Sequence, residues 1–310
     1  MRIKLSVLVI ALLTTSSVFS QTSLLQDADG KSAFTLGTSD SLQLILNVAE
    51  KSLSLSFIDQ DILSTQKLYW GAELKFSGKD GKLPLAKKGD ANFQVQFGVT
   101  GTYVGDNAKD FFYFSPKINV SRIVTAYNDG TLLKTDPLAP INYSIQLGYN
   151  TLALIDGNKH LRRILLGIAI EIGKTDNTKS ISKYEYRDLA LSGVNSSGSN
   201  AYVTTEATEA YLKSELKTDM QFIRPMLDLG YCIPKARLTP MIHLRHDIYP
   251  NNESVNLFSP GAGIYLNQKN NPDLIVLGLQ IFYKDWNDNL KKENDRWDRA
   301  TLNFVAGFKF

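Results

Sequence analysis

Residues 163–173 read Arg163-Ile164-Leu165-Leu166-Gly167-Ile168-Ala169-Ile170-Glu171-Ile172-Gly173. The even positions from Ile164 to Ile172 are all large aliphatics, while Arg163, Gly167, Ala169, Glu171 and Gly173 fall on the odd ones. A period of two belongs to a β-strand, whose successive side chains point to opposite faces. A strand in a soluble sheet is usually about five or six residues long. A tilted strand that crosses the hydrocarbon of a bilayer needs about nine to eleven, and this one has that length.

The pattern recurs on both sides of this segment. Leu68, Trp70, Ala72, Leu74 and Phe76 alternate with Lys67, Tyr69, Gly71, Glu73 and Lys75. Phe93, Val95, Phe97 and Val99 alternate with Asn92, Gln94, Gln96 and Gly98, and Ile141, Tyr143, Ile145, Leu147 and Tyr149 with Asn142, Ser144, Gln146, Gly148 and Asn150. The spacing predicts strands over 67–77, 91–104, 111–127, 140–152, 161–173, 181–191, 200–217, 219–231, 236–248, 254–266, 273–286 and 298–310. Their even number, twelve, suits a closed bacterial barrel.

Composition narrows the class further. In 310 residues there are 34 Lys+Arg, 31 Asp+Glu, 3 His and 1 Cys. One cysteine excludes an intramolecular disulfide and any zinc site built on two or more cysteines. A formal net charge of +3 is too small to recruit nucleic acid. The chain opens with Arg2 and Lys4, an apolar run over Leu5–Leu13, then Val18 and Ser20 before Gln21. That order predicts a secretory signal peptide over 1–20, whose removal takes two positive charges with it. The longest uninterrupted apolar run in the mature chain, Ile164–Ile170, is far short of the roughly 18 residues of a membrane helix.

At the C-terminus, Leu302, Phe304, Ala306, Phe308 and Phe310 alternate with Thr301, Asn303, Val305, Gly307 and Lys309, and the chain ends on an aromatic. With the signal peptide and the long alternating strands, this ending resembles the outer-membrane β-barrel proteins of Gram-negative bacteria. The resemblance covers roughly residues 67–310 by pattern. It implies an all-β fold, a transmembrane antiparallel up-and-down barrel of about twelve strands, with fourteen as the variant. It also implies that Phe304, Phe308 and Phe310 are the signal read by the barrel-assembly machinery, and that outer-membrane lipid is the surrounding medium.

The domain reading is a signal peptide over 1–20, an N-terminal segment over 21–66 and a barrel over 67–310. In the middle segment, Leu42, Leu44, Leu46 and Val48, then Leu53, Leu55 and Phe57, predict a short hairpin, either a plug or extra wall strands. With the C-terminus in the periplasm, 78–90, 128–139 and the charged 286–298 become long extracellular loops. The connections 105–110, 232–235 and 267–272 become short periplasmic turns. Three prolines, Pro225, Pro240 and Pro260, sit badly in a closed sheet. A change of apolar parity near Pro260 predicts a β-bulge there.

Candidate site residues lie on the polar parity. His243, Arg245 and Asp247 share one strand face, opposite Ile242, Leu244 and Ile248, and His246 points the other way. His243 and His246 therefore cannot chelate one metal. Arg224, Asp228 and Arg237 complete the set of charges expected to line the lumen as a constriction. An acid–base pair of His243 with Asp247 would suit a lipid-acting barrel enzyme, but stacked charges of both signs more often form a salt-bridge ladder. Aromatics such as Tyr69, Trp70, Phe112, Tyr113, Tyr149, Tyr231, Tyr265, Tyr283 and Trp286 are expected at the membrane interfaces. The functional expectation is a narrow, porin-like channel for small solutes, without enzyme activity, cofactor or metal. The alternative is a structural or assembly barrel of a secretion or surface-attachment system, with a surface protein as partner.

Overall fold

The structure is a computed structural model that describes residues 41–47, 52–59, 68–78, 93–105, 110–128, 133–151, 164–178, 181–182, 184–194, 200–251, 256–267, 275–289 and 300–309. The expected signal peptide and Phe310 lie outside the described residues, as do most of the expected 78–90 and 286–298 loops. Among the described residues the secondary structure is all β: β1 (Ser41–Asn47), β2 (Ser52–Asp59), β3 (Leu68–Gly78), β4 (Phe93–Val104), β5 (Asp110–Asn128), β6 (Leu133–Leu138), β7 (Ile141–Thr151), β8 (Ile164–Thr175), β9 (Tyr184–Val194), β10 (Asn200–Leu212), β11 (Met220–Tyr231), β12 (Leu238–Asp247), β13 (Leu257–Asn267), β14 (Ile275–Tyr283) and β15 (Ala300–Lys309).

Twelve of these close into a ring. Starting at β1 the neighbours are β2, β3, β4, β5, β7, β8, β11, β12, β13, β14 and β15, and β15 pairs back onto β1, every contact antiparallel. The expected up-and-down barrel of about twelve strands is the observed fold, but two of its strands are exchanged. The hairpin near 42–57 is no plug: as β1 and β2 it stands in the wall, joining Ser41–Asn47 to Asn303–Lys309. The expected strands at 181–191 and 200–217 leave the ring. They form the β9–β10 hairpin, whose only ladder to the wall among the described residues is Tyr211–Leu212 beside Thr125–Ala126 of β5. Parity could not separate these cases, because a hairpin outside the ring alternates like one within it.

Exposure is inverted relative to a soluble protein. Apolar side chains on the outer parity are open, with Ile141 67%, Ile264 59% and Ile242 55% exposed, whereas Asp228, His243 and Gln280 on the inner parity are 0% exposed. Among the described residues, Phe97, Phe114, Ile118, Ile145, Leu147, Ile168, Ile170, Ile172, Leu279 and Ile281 continue the outer band. Water would penalise such a surface, and lipid would not. Phe112 and Tyr149, opposite one another near one rim, pack with ring centroids 4.8 Å apart on this outer side, as an interfacial girdle requires. Tyr113 and Tyr265 correct the girdle expectation, since both are buried on the inner parity.

The prolines are accommodated one ladder at a time. A backbone N–H faces only one neighbouring strand, so a proline harms one of its two ladders. The β8–β11 ladder runs unbroken through Pro225↔Ile170, while the β11–β12 ladder stops at Met226. The β12–β13 ladder runs unbroken through Pro240↔Ile264 and Leu244↔Pro260. On their other sides, the β11–β12 ladder stops at Met241 and the β13–β14 ladder begins only at Gly261. Among the described residues, the bulge expected near Pro260 is absent. Register with β12 is continuous there, and Leu257 simply stands on the inner parity, opposite Asp247.

Above the ring the chain continues. β5 extends past its last ladder with β7 and pairs with β6, from Ile123↔Leu138 to Asn128↔Leu133. Val124 and Ala126 of that extension bury against Ala210 of β10. The insertion carrying β9 and β10 is pinned at its neck by Asn177, whose side chain donates to Glu215 O at 2.8 Å and accepts from Lys217 N at 2.8 Å.

Candidate functional site

The chemistry-bearing side chains gather on the inner face because strand parity sends them there, and three clusters share strands around the wall. The first links β11, β12, β13 and β14. Asp228 stands directly opposite His243 in the ladder, and its Oδ1 lies 2.7 Å from His243 Nδ1 and 2.8 Å from an Arg245 guanidinium nitrogen. Arg245 also donates to the carbonyls of Leu227 and Leu244. The other ring nitrogen, His243 Nε2, is 2.9 Å from Tyr265 OH, which accepts from the Gln280 side-chain amide. The donors sort consistently if Tyr265 OH donates to Nε2 and Nδ1–H donates to Asp228. Tyr265 lies flat across β13 and β14 because Gly263 and Gly278 leave room; a Cβ at Gly278 would come within 2.3 Å of its ring.

The second cluster links β7, β8, β11 and β12. Arg224 donates to Glu171 Oε2 at 3.0 Å and makes a two-pronged contact to Asp247, with its NH2 2.6 Å from Oδ2 and its Nε on Oδ1. Ser144 Oγ donates to the other oxygen of Glu171 at 2.6 Å. The planar guanidinium suits such a bridge, because its donors reach two carboxylates at once. The third cluster spans β3, β4, β5 and β7. Lys117 Nζ is 3.0 Å from Gln146 Oε1 and 3.9 Å from Glu73, Gln96 donates to Glu73, and Gln146 donates to Tyr113 OH at 3.0 Å. Tyr113 then packs against Ala169 and Met226, reaching from β5 to β8 and β11.

 A Cβ at Gly148 would come within 2.2 Å of the Tyr113 ring, so this glycine is what lets the tyrosine lie down.

Five of the six residues expected to line the lumen come together here: Arg224, Asp228, His243, Arg245 and Asp247. Arg237 does not. It sits in the 233–237 turn with φ 56°, and its guanidinium donates to Asn267 O at 3.2 Å. His243 pairs with Asp228, not with Asp247 as the acid–base reading had it, and both of its ring nitrogens are engaged. Glu171, whose parity turns it inward, joins them through Arg224 and Ser144, whereas Tyr113, Tyr265, Gln280, Lys117 and Gln146 were missed as site residues. Strand parity carried the signal for Lys117, Gln146 and Gln280, but not for the two tyrosines. Phe304 and Phe308 stand in β15, opposite Leu46 and Leu42 of β1, at the closure of the ring. Among the described residues, no group of three or more His, Cys, Asp or Glu side chains is placed to hold a metal.

No family model matches the chain, and no curated protein matches it. Among solved structures, the chain is similar to the β domain of the Bordetella autotransporter BrkA at 14% identity and a TM-score of 0.39, over 87% of this chain and 96% of that one.

Proposed function

We propose that this chain is a bacterial outer-membrane barrel whose lumen is braced shut, serving as a structural or assembly barrel for secretion or surface attachment. The observation that carries this reading is the burial of the inner face. Glu73, Lys75, Lys117, Glu171, Arg224, Asp228, His243 and Arg245 are all nearly inaccessible to solvent and tied to neighbours, whereas charges lining an aqueous pore would be wet. Material above the ring supports the same reading: the β5–β6 extension and the β9–β10 hairpin offer a surface for a protein partner. The protein acts without enzyme chemistry or a cofactor, and a signal peptide over 1–20 delivers it across the inner membrane.

Conductance of the purified barrel in planar bilayers separates this from the solute-channel reading. The braced barrel gives no steady current. A steady ohmic current in the unmodified protein, with a reversal potential that shifts towards cations in Arg224→Gln/Arg245→Gln, would establish the channel instead.

A further inference from the structure

The ladder between β11 and β12 is unlike the others in the ring. It pairs Met226–Gly230 with Met241–Arg245, five residue pairs, where every other ladder of the ring has between seven and twelve among the described residues. A proline stands just beyond each end, Pro225 on β11 and Pro240 on β12, and both side chains are exposed on the lipid side. Each proline keeps its ladder on the other side intact, so the missing donor is withdrawn from this contact. Beyond Pro225 a single isolated bridge, Ile223↔Ile248, resumes the pairing.

Side chains replace what the backbone lacks. Arg224 on β11 grips Asp247 on β12 beside the Pro225 gap, and Asp228 on β11 grips His243 and Arg245 on β12. All of these lie on the inner face, sheltered from water, where charge-assisted hydrogen bonds are strongest. No other ladder of the ring is crossed by as many of the charged contacts given above.

We propose that the β11–β12 contact is a lateral seam, the place where the wall parts first towards the bilayer, held closed from inside by an ion-pair latch. The latch holds the strands while the prolines keep the backbone from zipping them permanently. Opening needs only the short ladder and the latch to give way, and it leaves the long β8–β11 and β12–β13 ladders whole.

Amide hydrogen exchange on the full chain in lipid nanodiscs tests this directly. In the unmodified protein, amides within 226–230 and 241–245 that donate across the seam should exchange at least tenfold faster than those donating in the β8–β11 and β12–β13 ladders. In Asp247→Asn, exchange should rise a further tenfold at those seam amides and stay unchanged in β7–β8. Equal protection of the seam and its flanking ladders in the unmodified protein would overturn the proposal, whatever the variant does. So would a rise in Asp247→Asn spread evenly over the ring.

Discussion

Tyr265 lies across Gly263 and Gly278 with its hydroxyl between His243 and Gln280, so one side chain ties three strands. Gly278→Val places carbon where that ring sits. It should lower stability by about 1–3 kcal/mol through overpacking, measured by urea unfolding in lipid vesicles. Asp228→Asn should cost more, about 3–5 kcal/mol, because it leaves Arg245 buried without its carboxylate. On the lipid side, Ile168→Arg should cost about 2–4 kcal/mol near mid-membrane in the same assay. Ala169→Arg is expected to fail as badly, since Tyr113 and Met226 bury Ala169 and the proposed braced lumen has no water to receive the new charge. At this scale the sequence was legible where side chains are unambiguous. His243, Arg245 and Asp247 alternate with Ile242 and Leu244, and parity alone turns them inward. Tyr113 and Tyr265 were not legible, because an amphipathic ring suits an interface and a polar interior equally well.

Among the elements, β9 and β10 show the limit of periodicity. They alternate as wall strands do, yet β8 pairs directly with β11 from Met220↔Thr175 to Tyr231↔Ile164, leaving no place for them between. Replacing residues 179–214 by a short Asn-Gly turn should therefore leave a folded ring, since the Asn177 contacts to Glu215 and Lys217 already close the neck. Migration on detergent gels before and after boiling checks it: the shortened protein should still run faster unheated. Conversely β1 and β2 looked too short to span, at 7 and 8 residues. What places them in the wall is the long-range register of Leu42↔Phe308 and Leu46↔Phe304, which no local pattern encodes. Truncation before Phe308 removes rungs from this closing ladder as well as the terminal aromatics. It should reduce the heat-modifiable, membrane-inserted fraction more than Phe310→Ala does.

For the whole molecule, the twelve-strand ring, the inverted exposure and the buried polar face make one claim: lipid outside, interlocked side chains inside, and no water column between. Strand number was legible from the count of alternating segments, although two of the twelve were the wrong ones. The burial of the inner-face charges was not legible, because parity says which way a charge points and nothing about what covers it. A nitroxide scan along β8 from Leu165 to Ile172, made on a Cys232→Ser background and read by collision with oxygen and with a water-soluble nickel chelate, tests all three parts at once. The predicted result is oxygen accessibility with a period of two, high at Leu166, Ile168, Ile170 and Ile172, and low accessibility to both reagents at Leu165, Gly167, Ala169 and Glu171. Nickel-chelate accessibility peaking at the inner positions would mean an open aqueous lumen, and a profile without alternation would mean that β8 does not face lipid, either of which would contradict the claim.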